Sequence, residues 1–175
     1  DRAGIAVILS TLNYLTKIHH DIDVYAVATV QEEVGLRGAI VSTYGISPDI
    51  GIAIDVCQGE TPSVPAYETQ KLGSGPVISL GPNIHPKLYE KLKQIAEEYK
   101  IPYQLNPEPA STGTDAWAMQ ITKQGVPTAV ISIPLKYMHT TVETLSLDDV
   151  KMASRLIALF IASIGKDFVE GLTCF

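Results

Sequence analysis

The sequence predicts an α/β fold of three layers, a mostly parallel sheet with helices on both faces, and three observations carry that prediction. Short runs rich in Val and Ile alternate with segments whose apolar residues recur at helical spacing. The short runs are apolar throughout, as strands covered on both faces must be. The β and α signals also follow one another along almost the whole chain, the order expected of a parallel sheet sheathed by helices.

Taken in order, Ile5, Ile8, Leu9, Leu12 and Leu15 define an opening amphipathic helix of about four turns, ending near His19, His20 and Asp21. VYAVATV at 24–30 predicts a strand buried on both faces. A helix over 36–44, closed by Gly45, comes next, and Pro48 leads into a second buried strand, IGIAIDV at 50–56. From Gln58 to Gly75 the residues turn to Pro, Gly, Ser and Thr, which predicts a long loop holding at most one irregular strand. GPVISLG at 75–81 reads as a strand. The clearest helix is 85–100, where Leu88, Leu92, Ile95, Ala96 and Tyr99 form one stripe and Lys and Glu cover the rest. An extended piece at 102–105 and the loop NPEPASTGT precede a helix over 115–123, punctuated by Gly125 and Pro127. TAVISIP at 128–134 is a strand, and 145–165 is a closing helix with Asp148 and Asp149 near its positive end.

Composition sets the outer limits. Hydrophobic residues make up 46% of the 175 and charged ones 18%, with a net charge of -6, as in a single soluble globular domain. A chain of this length buries roughly 70% of its unfolded surface, so a core forms without metal or disulfide staples. Disorder is excluded as the main state. The acidic balance and the absence of any Lys/Arg run argue against nucleic acid as a partner. No apolar stretch reaches the roughly 18 residues of a spanning helix, so no membrane is expected, and DRAGIAVILS lacks the features of a signal peptide. A cytoplasmic location is the default expectation. Cys57 and Cys174 are too few for a disulfide framework. The first residue is Asp rather than Met, which suggests a fragment.

In sheets of this kind chemistry gathers at the carboxyl ends of strands. Gln31, Glu32 and Glu33 follow the run at 24–30, Asp55 ends the run at 50–56, and His139 lies in the loop after TAVISIP. Two adjacent carboxylates, a third carboxylate and an imidazole on one rim can bind a divalent metal and leave an acid or base free. Each residue also has an ordinary role open to it. Glu32 and Glu33 suit a solvated turn, although the glycines of VGLRGA favour a shaped loop. Asp55 suits a cap, His139 a structural hydrogen bond, and Cys57 a small buried position. His19, His20 and His85 sit at helix ends and are left out of the site.

Six segments carry a family resemblance: DRAG at 1–4, QEEVGLRGA at 31–39, GIAIDV at 51–56, LGSGP at 72–76, STGTDA at 111–116 and PLKYMHTTVE at 134–143. In order and spacing they resemble peptidase family M42, the glutamyl and tetrahedral aminopeptidases, once also labelled endoglucanases. The resemblance covers nearly all of this chain but only the second half of a family chain. It implies the three-layer zinc-aminopeptidase (phosphorylase/hydrolase-like) fold and a hydrolase with two divalent metal ions, zinc or cobalt, that removes N-terminal residues from short peptides. Carried over by position, Glu32 is the general base, Glu33 and His139 hold one metal, and Asp55 holds the other. In GTDA the resemblance suggests close backbone approach at Gly113, a helix cap at Thr114 and an Asp115 facing the cleft. A purely structural role for 111–115 is equally open, and no direct chemistry is assigned there.

The departures matter as much. Family members carry a metal-bridging Asp immediately before the DR pair and a further His ligand far upstream, with an inserted dimerisation domain between them. Residues 1–175 therefore correspond to the C-terminal part of a catalytic domain. One metal keeps two of three protein ligands and the other keeps one, so binding by this chain alone is expected to be weak. Asp1 corresponds to the neighbour of the bridging Asp and is not assigned as a ligand. Relatives build dodecameric shells, which implies a homo-oligomer. Two other classes of function remain open: a noncatalytic binding or assembly module, and a metal-independent β-glucan hydrolase using Glu32 and Asp55, which would leave His139 without a task. A deacetylase or carboxypeptidase using the same two-metal chemistry is open as well.

Overall fold

A computed structural model of the chain describes residues 1–62 and 64–172. Cys174 lies outside the described residues.

Alternation along two long strands sets the layers. Strand β1 (Gly51–Gln58) runs parallel to β4 (Thr128–Lys136) over eight positions, with Ala53 opposite Val130 and Asp55 opposite Ser132. Successive side chains point to opposite faces. Ile52, Ile54, Val56, Ala129, Ile131 and Ile133 accordingly join one core, while Ala53 and Val130 join a second, smaller one. The larger core is closed by α1 (Arg2–Leu15), α3 (Pro86–Glu98) and α5 (Leu147–Ser163), through residues such as Val7, Leu88, Leu92, Leu156 and Phe160. Full burial of each such side chain stabilises the fold by about 1.5–3 kcal/mol. The smaller core is closed by α4 (Asp115–Gln120) through Ala116 and Met119, with α2 (Arg37–Ile46) packed beside it. Helices thus cover both faces, as the sequence predicts.

Two further strands complete the order β1-β4-β2-β3: β2 (Val77–Leu80) and β3 (Gln104–Pro107), which pair in parallel across α3. The sheet is mixed, however. β2 meets β4 antiparallel, and β5 (Thr144–Leu145) folds back on β4 as an antiparallel pair. The reason lies in the loop at 59–76, which joins β1 to β2 without a helical crossover and so reverses the strand direction. Among its described residues that loop holds one 3-10 turn (Ala66–Glu68) and an isolated bridge between Gly59 and Gln70. It is closed by Asp149 of α5, fully buried, whose two carboxylate oxygens accept from Gly73 N at 2.7 Å and Gly75 N at 2.8 Å.

Several expected elements change. The run at 24–30 forms no strand: it has no ladder partner among the described residues, and Tyr25 remains 67% exposed. Strand propensity reflects packing against a neighbour, and none is supplied to this segment. Helix α2 continues through Gly45 to Ile46, and Ser47 closes it at φ 54°, the left-handed position expected of the glycine. Helix α4 ends at Gln120 rather than 123, and 145 belongs to β5 rather than to the closing helix. A short α6 (Lys166–Glu170), not anticipated, sets Phe168 edge-to-face on Phe160 at 6.4 Å. Among the described residues no helix is long and apolar enough to cross a membrane.

Candidate active site

The loop carrying Glu32 and Glu33 is built by backbone strain and by two glycines. Gln31 (φ 59°) and Leu36 (φ 54°) are left-handed, as is Gly35 at 116°. Gly35 N and Leu36 N both donate to Glu32 O, at 3.1 and 3.0 Å. Gly38 N donates to Val30 O at 2.9 Å. A Cβ on Gly38 would lie 2.4 Å from Val30 N and 2.5 Å from Val30 O, so only glycine allows the two strands of the loop to meet. Glu32 and Glu33 therefore leave a shaped loop, not a casual turn.

His139 leaves a second strained loop, between β4 and β5. Tyr137 (φ 58°) and His139 (φ 61°) are both left-handed, a conformation that costs non-glycine residues energy and clusters at functional sites. Glu143 Oε1 accepts from His139 N at 2.9 Å, and Thr140 Oγ1 donates to Tyr137 O at 2.6 Å, which together hold the turn. From it the His139 imidazole reaches across to the first loop, and Nε2 donates to Glu33 Oε1 at 3.1 Å. Both side chains are open to solvent, 69% and 74% exposed, so the contact adds little stability but leaves both groups accessible to an ion.

Asp55 stands apart from this pair, near the end of β1 and in the same alternation as Ala53, with Oδ1 accepting from Val56 N at 2.8 Å. Burial first, then the negative charges of Glu32 and Asp115, raise its carboxyl from the usual 3.8 to about 6, against the opposing pull of the Val56 hydrogen bond. Glu32 is raised as well, by burial and by the charges of Glu33 and Asp115. Glu32, Glu33, Asp55, Asp115 and His139 all line one cleft of about 1380 Å³.

Asp115, expected to face the cleft but assigned no chemistry, does line it. Its Oδ2 accepts from Thr29 Oγ1 at 2.6 Å, and its Oδ1 is buried with no donor among the described residues. The only signal for it in the sequence is its place in GTDA. Thr114 does cap α4, accepting from Ala116 N at 3.3 Å. No close approach occurs at Gly113: a Cβ there would meet nothing within 4 Å, and what calls for glycine is its φ of 66°. Asp1 caps α1 by accepting from Gly4 N at 2.8 Å. Cys57 is half-buried, and burial pushes its thiol up to about 12, so it stays neutral. His19 and His20 are held by Asp21 and by the Ile22 carbonyl near the end of the opening helix, and His85 occupies the N-cap position of α3.

These donors fit divalent cations in kind. Carboxylates and an imidazole are ligands for zinc or cobalt, and the raised Asp55 together with the orphaned Asp115 oxygen marks an excess of negative charge that a cation would relieve. They fall short in number: among the described residues no three His, Cys, Asp or Glu side chains are grouped closely enough to hold an ion.

Known proteins share this arrangement of elements. A lysyl aminopeptidase of Pyrococcus furiosus is 48% identical over 137 residues, which are 78% of this chain and 40% of that protein. The structure of a TET aminopeptidase from a marine-sediment Thaumarchaeota archaeon superposes with a TM-score of 0.92 at 34% identity, over 99% of this chain and 50% of that one. A TET1 peptidase of Pyrococcus horikoshii, described as assembling into a tetrahedron or a large octahedral shell, matches 78% of this chain and 40% of its own at 34% identity, with a TM-score of 0.62. The chain thus spans half or less of the length of these relatives. Residues 1–156 match the family of the M42 glutamyl aminopeptidases, and the chain belongs to that family.

Proposed function

We propose that this chain carries one part of the catalytic centre of a two-metal aminopeptidase that acts on short peptides in the cytoplasm. Glu33 and His139 hold one divalent ion, Asp55 holds the other, and Glu32 is the general base. The remaining ligands come from polypeptide beyond these 175 residues, so that the chain is the C-terminal part of a catalytic domain. The observation that carries this reading is the meeting of Glu33 and His139, 106 positions apart, at 3.1 Å. Family membership supports the reaction class, and the shells described for the TET1 peptidase support a homo-oligomer.

Bound at this rim, two zinc or cobalt ions would polarise the scissile carbonyl and make a water molecule acidic near neutral pH. Glu32 takes the proton from that water and returns it to the departing amine. Its raised pKa suits both halves of the task, because a base poised nearer the working pH also serves as an acid. Glu33 is engaged with His139 instead, at 3.1 Å. A glucan hydrolase built on Glu32 and Asp55 would leave His139 idle, whereas here the imidazole is engaged with Glu33.

Cobalt titration followed by visible absorption tests the assignment on the chain itself. Glu33→Ala and His139→Ala should each weaken binding by about tenfold or more. Equal affinity in both variants and the parent chain would sink it and favour a noncatalytic module.

A further inference from the structure

The direction in which Asp115 points is not explained by the helix it begins. The cap of α4 is Thr114, whose hydroxyl accepts from Ala116 N at 3.3 Å. The Asp115 carboxylate turns instead to another segment, where its Oδ2 accepts from Thr29 Oγ1 at 2.6 Å, a length typical of a hydroxyl donating to a charged oxygen. Both residues are half-buried, and they lie 86 positions apart. Thr29 stands where the run at 24–30 enters the loop of Glu32: the next residue, Val30, accepts from Gly38 N and closes that loop. The run has no ladder partner among the described residues, so the sheet does not fix the root of the loop. Helix α4, by contrast, is seated on the sheet. Ala116 is fully buried in the smaller core with Ala53 and Val130, and Met119 Cε occupies the space that a Cβ on Gly51 of β1 would need.

We infer that Asp115 is a positioning residue for the hydrolysis: through Thr29 it ties the root of the Glu32 loop to α4, and so fixes where the Glu32 carboxylate meets the attacking water. The inference rests on the aminopeptidase reading, with Glu32 as its base. Asp115 acts through Thr29 and is assigned no contact with substrate. Glu33, in the same loop, has a tether of its own in His139 at 3.1 Å, so the tie to Asp115 bears chiefly on Glu32. A base works only within about 2.6–3.2 Å of the proton it takes. A displacement of about 1 Å caused by a remote change can cost roughly 10²-fold in rate. Burial first, then nearby charge, raises the Glu32 carboxyl, and Asp115 is one of those charges, which agrees with its place beside the base.

Thr29→Val removes the hydroxyl at nearly constant shape, and Thr29→Ser retains it. Gly35, Leu36 and Gly38 donate the N–H groups that close the loop, and their amide hydrogen exchange is read in the 175-residue chain, in chelator. It should quicken by roughly tenfold in Thr29→Val and keep the parent rate in Thr29→Ser, with the amides of α5 unchanged. In the complete enzyme at saturating cobalt, Thr29→Val should lower kcat by roughly tenfold to a hundredfold with KM within about twofold, and Thr29→Ser should restore it. Asp115→Ala should repeat both effects, and it carries the comparison if Thr29→Val does not fold. The double variant should be no worse than either single one, as expected of partners in one contact. Equal exchange in the parent and Thr29→Val, a loosened loop with unchanged kcat, a loss carried by KM, failure of serine to restore turnover, or additive losses would each overturn the inference. A parent chain that binds no cobalt refutes the two-metal reading whatever the loop does, whereas a parent that binds it while Thr29→Val changes nothing refutes only the positioning role.

Discussion

Replacing Asp55 by Asn exchanges a carboxylate for an amide of the same size that still accepts from Val56 N–H. The carboxyl titrates near 6 in the folded chain against 3.8 as its ordinary value, chiefly because of burial. Between those two values the folded state keeps a proton that the unfolded chain has released. The contribution to stability is therefore fully present below about pH 4 and is lost as the pH rises through about 6. Each pH unit in that interval removes about 1.4 kcal/mol, so the loss amounts to at most about 3 kcal/mol. The assay is urea denaturation in chelator from about pH 4 to pH 8 for the parent chain and Asp55→Asn. The variant should gain on the parent through the window and hold a lead of about 2–3 kcal/mol above it. Glu32 and Glu108, also raised, push both proteins in the same direction and largely cancel in the comparison. Cobalt at neutral pH should narrow the lead, because a cation offsets the buried charge. Curves that run parallel from acid to neutral pH would refute the reasoning that Asp55 is held uncomfortably ionised.

Other perturbations test the remaining parts. Glu32→Gln should leave cobalt affinity within about twofold, yet lower turnover of the complete enzyme by roughly 10²–10⁴; a large loss of cobalt binding would make Glu32 a ligand instead. Gly38→Ala places a Cβ at 2.4 Å from Val30 N and should cost about 1–3 kcal/mol in urea denaturation, with weakened cobalt binding as the loop shifts; an unchanged midpoint would show that the loop yields freely. Asp149→Ala strips the buried acceptor from Gly73 N and Gly75 N and should cost about 3 kcal/mol or more, read as a lowered thermal midpoint. A change below about 1 kcal/mol would mean the loop at 59–76 is held by other contacts.

Much of this was legible in local pattern. The Val- and Ile-rich run that became β1 and the run that became β4 were found as strands, and the stripe of Leu88, Leu92, Ile95 and Ala96 marked α3, because periodicity records which face each element buries. The rule that chemistry lies just beyond strand ends applies to His139 after β4, whereas Glu33 follows a run that forms no strand; the fold brings the two loops into contact. What no local pattern records is the identity of a partner. The run at 24–30 has the composition of a strand but meets no neighbour to pair with, and β2 lies antiparallel to β4 because of where a long loop lets it enter. Thr29 and Asp115 meet across 86 positions, and the pKa of Asp55 depends on burial and on two carboxylates from other segments. Local residue order determines propensity and spacing, but pairing, left-handed turns such as Tyr137 and His139, and the charge felt by a carboxylate are set by groups remote in the chain, so only the tertiary structure decided them.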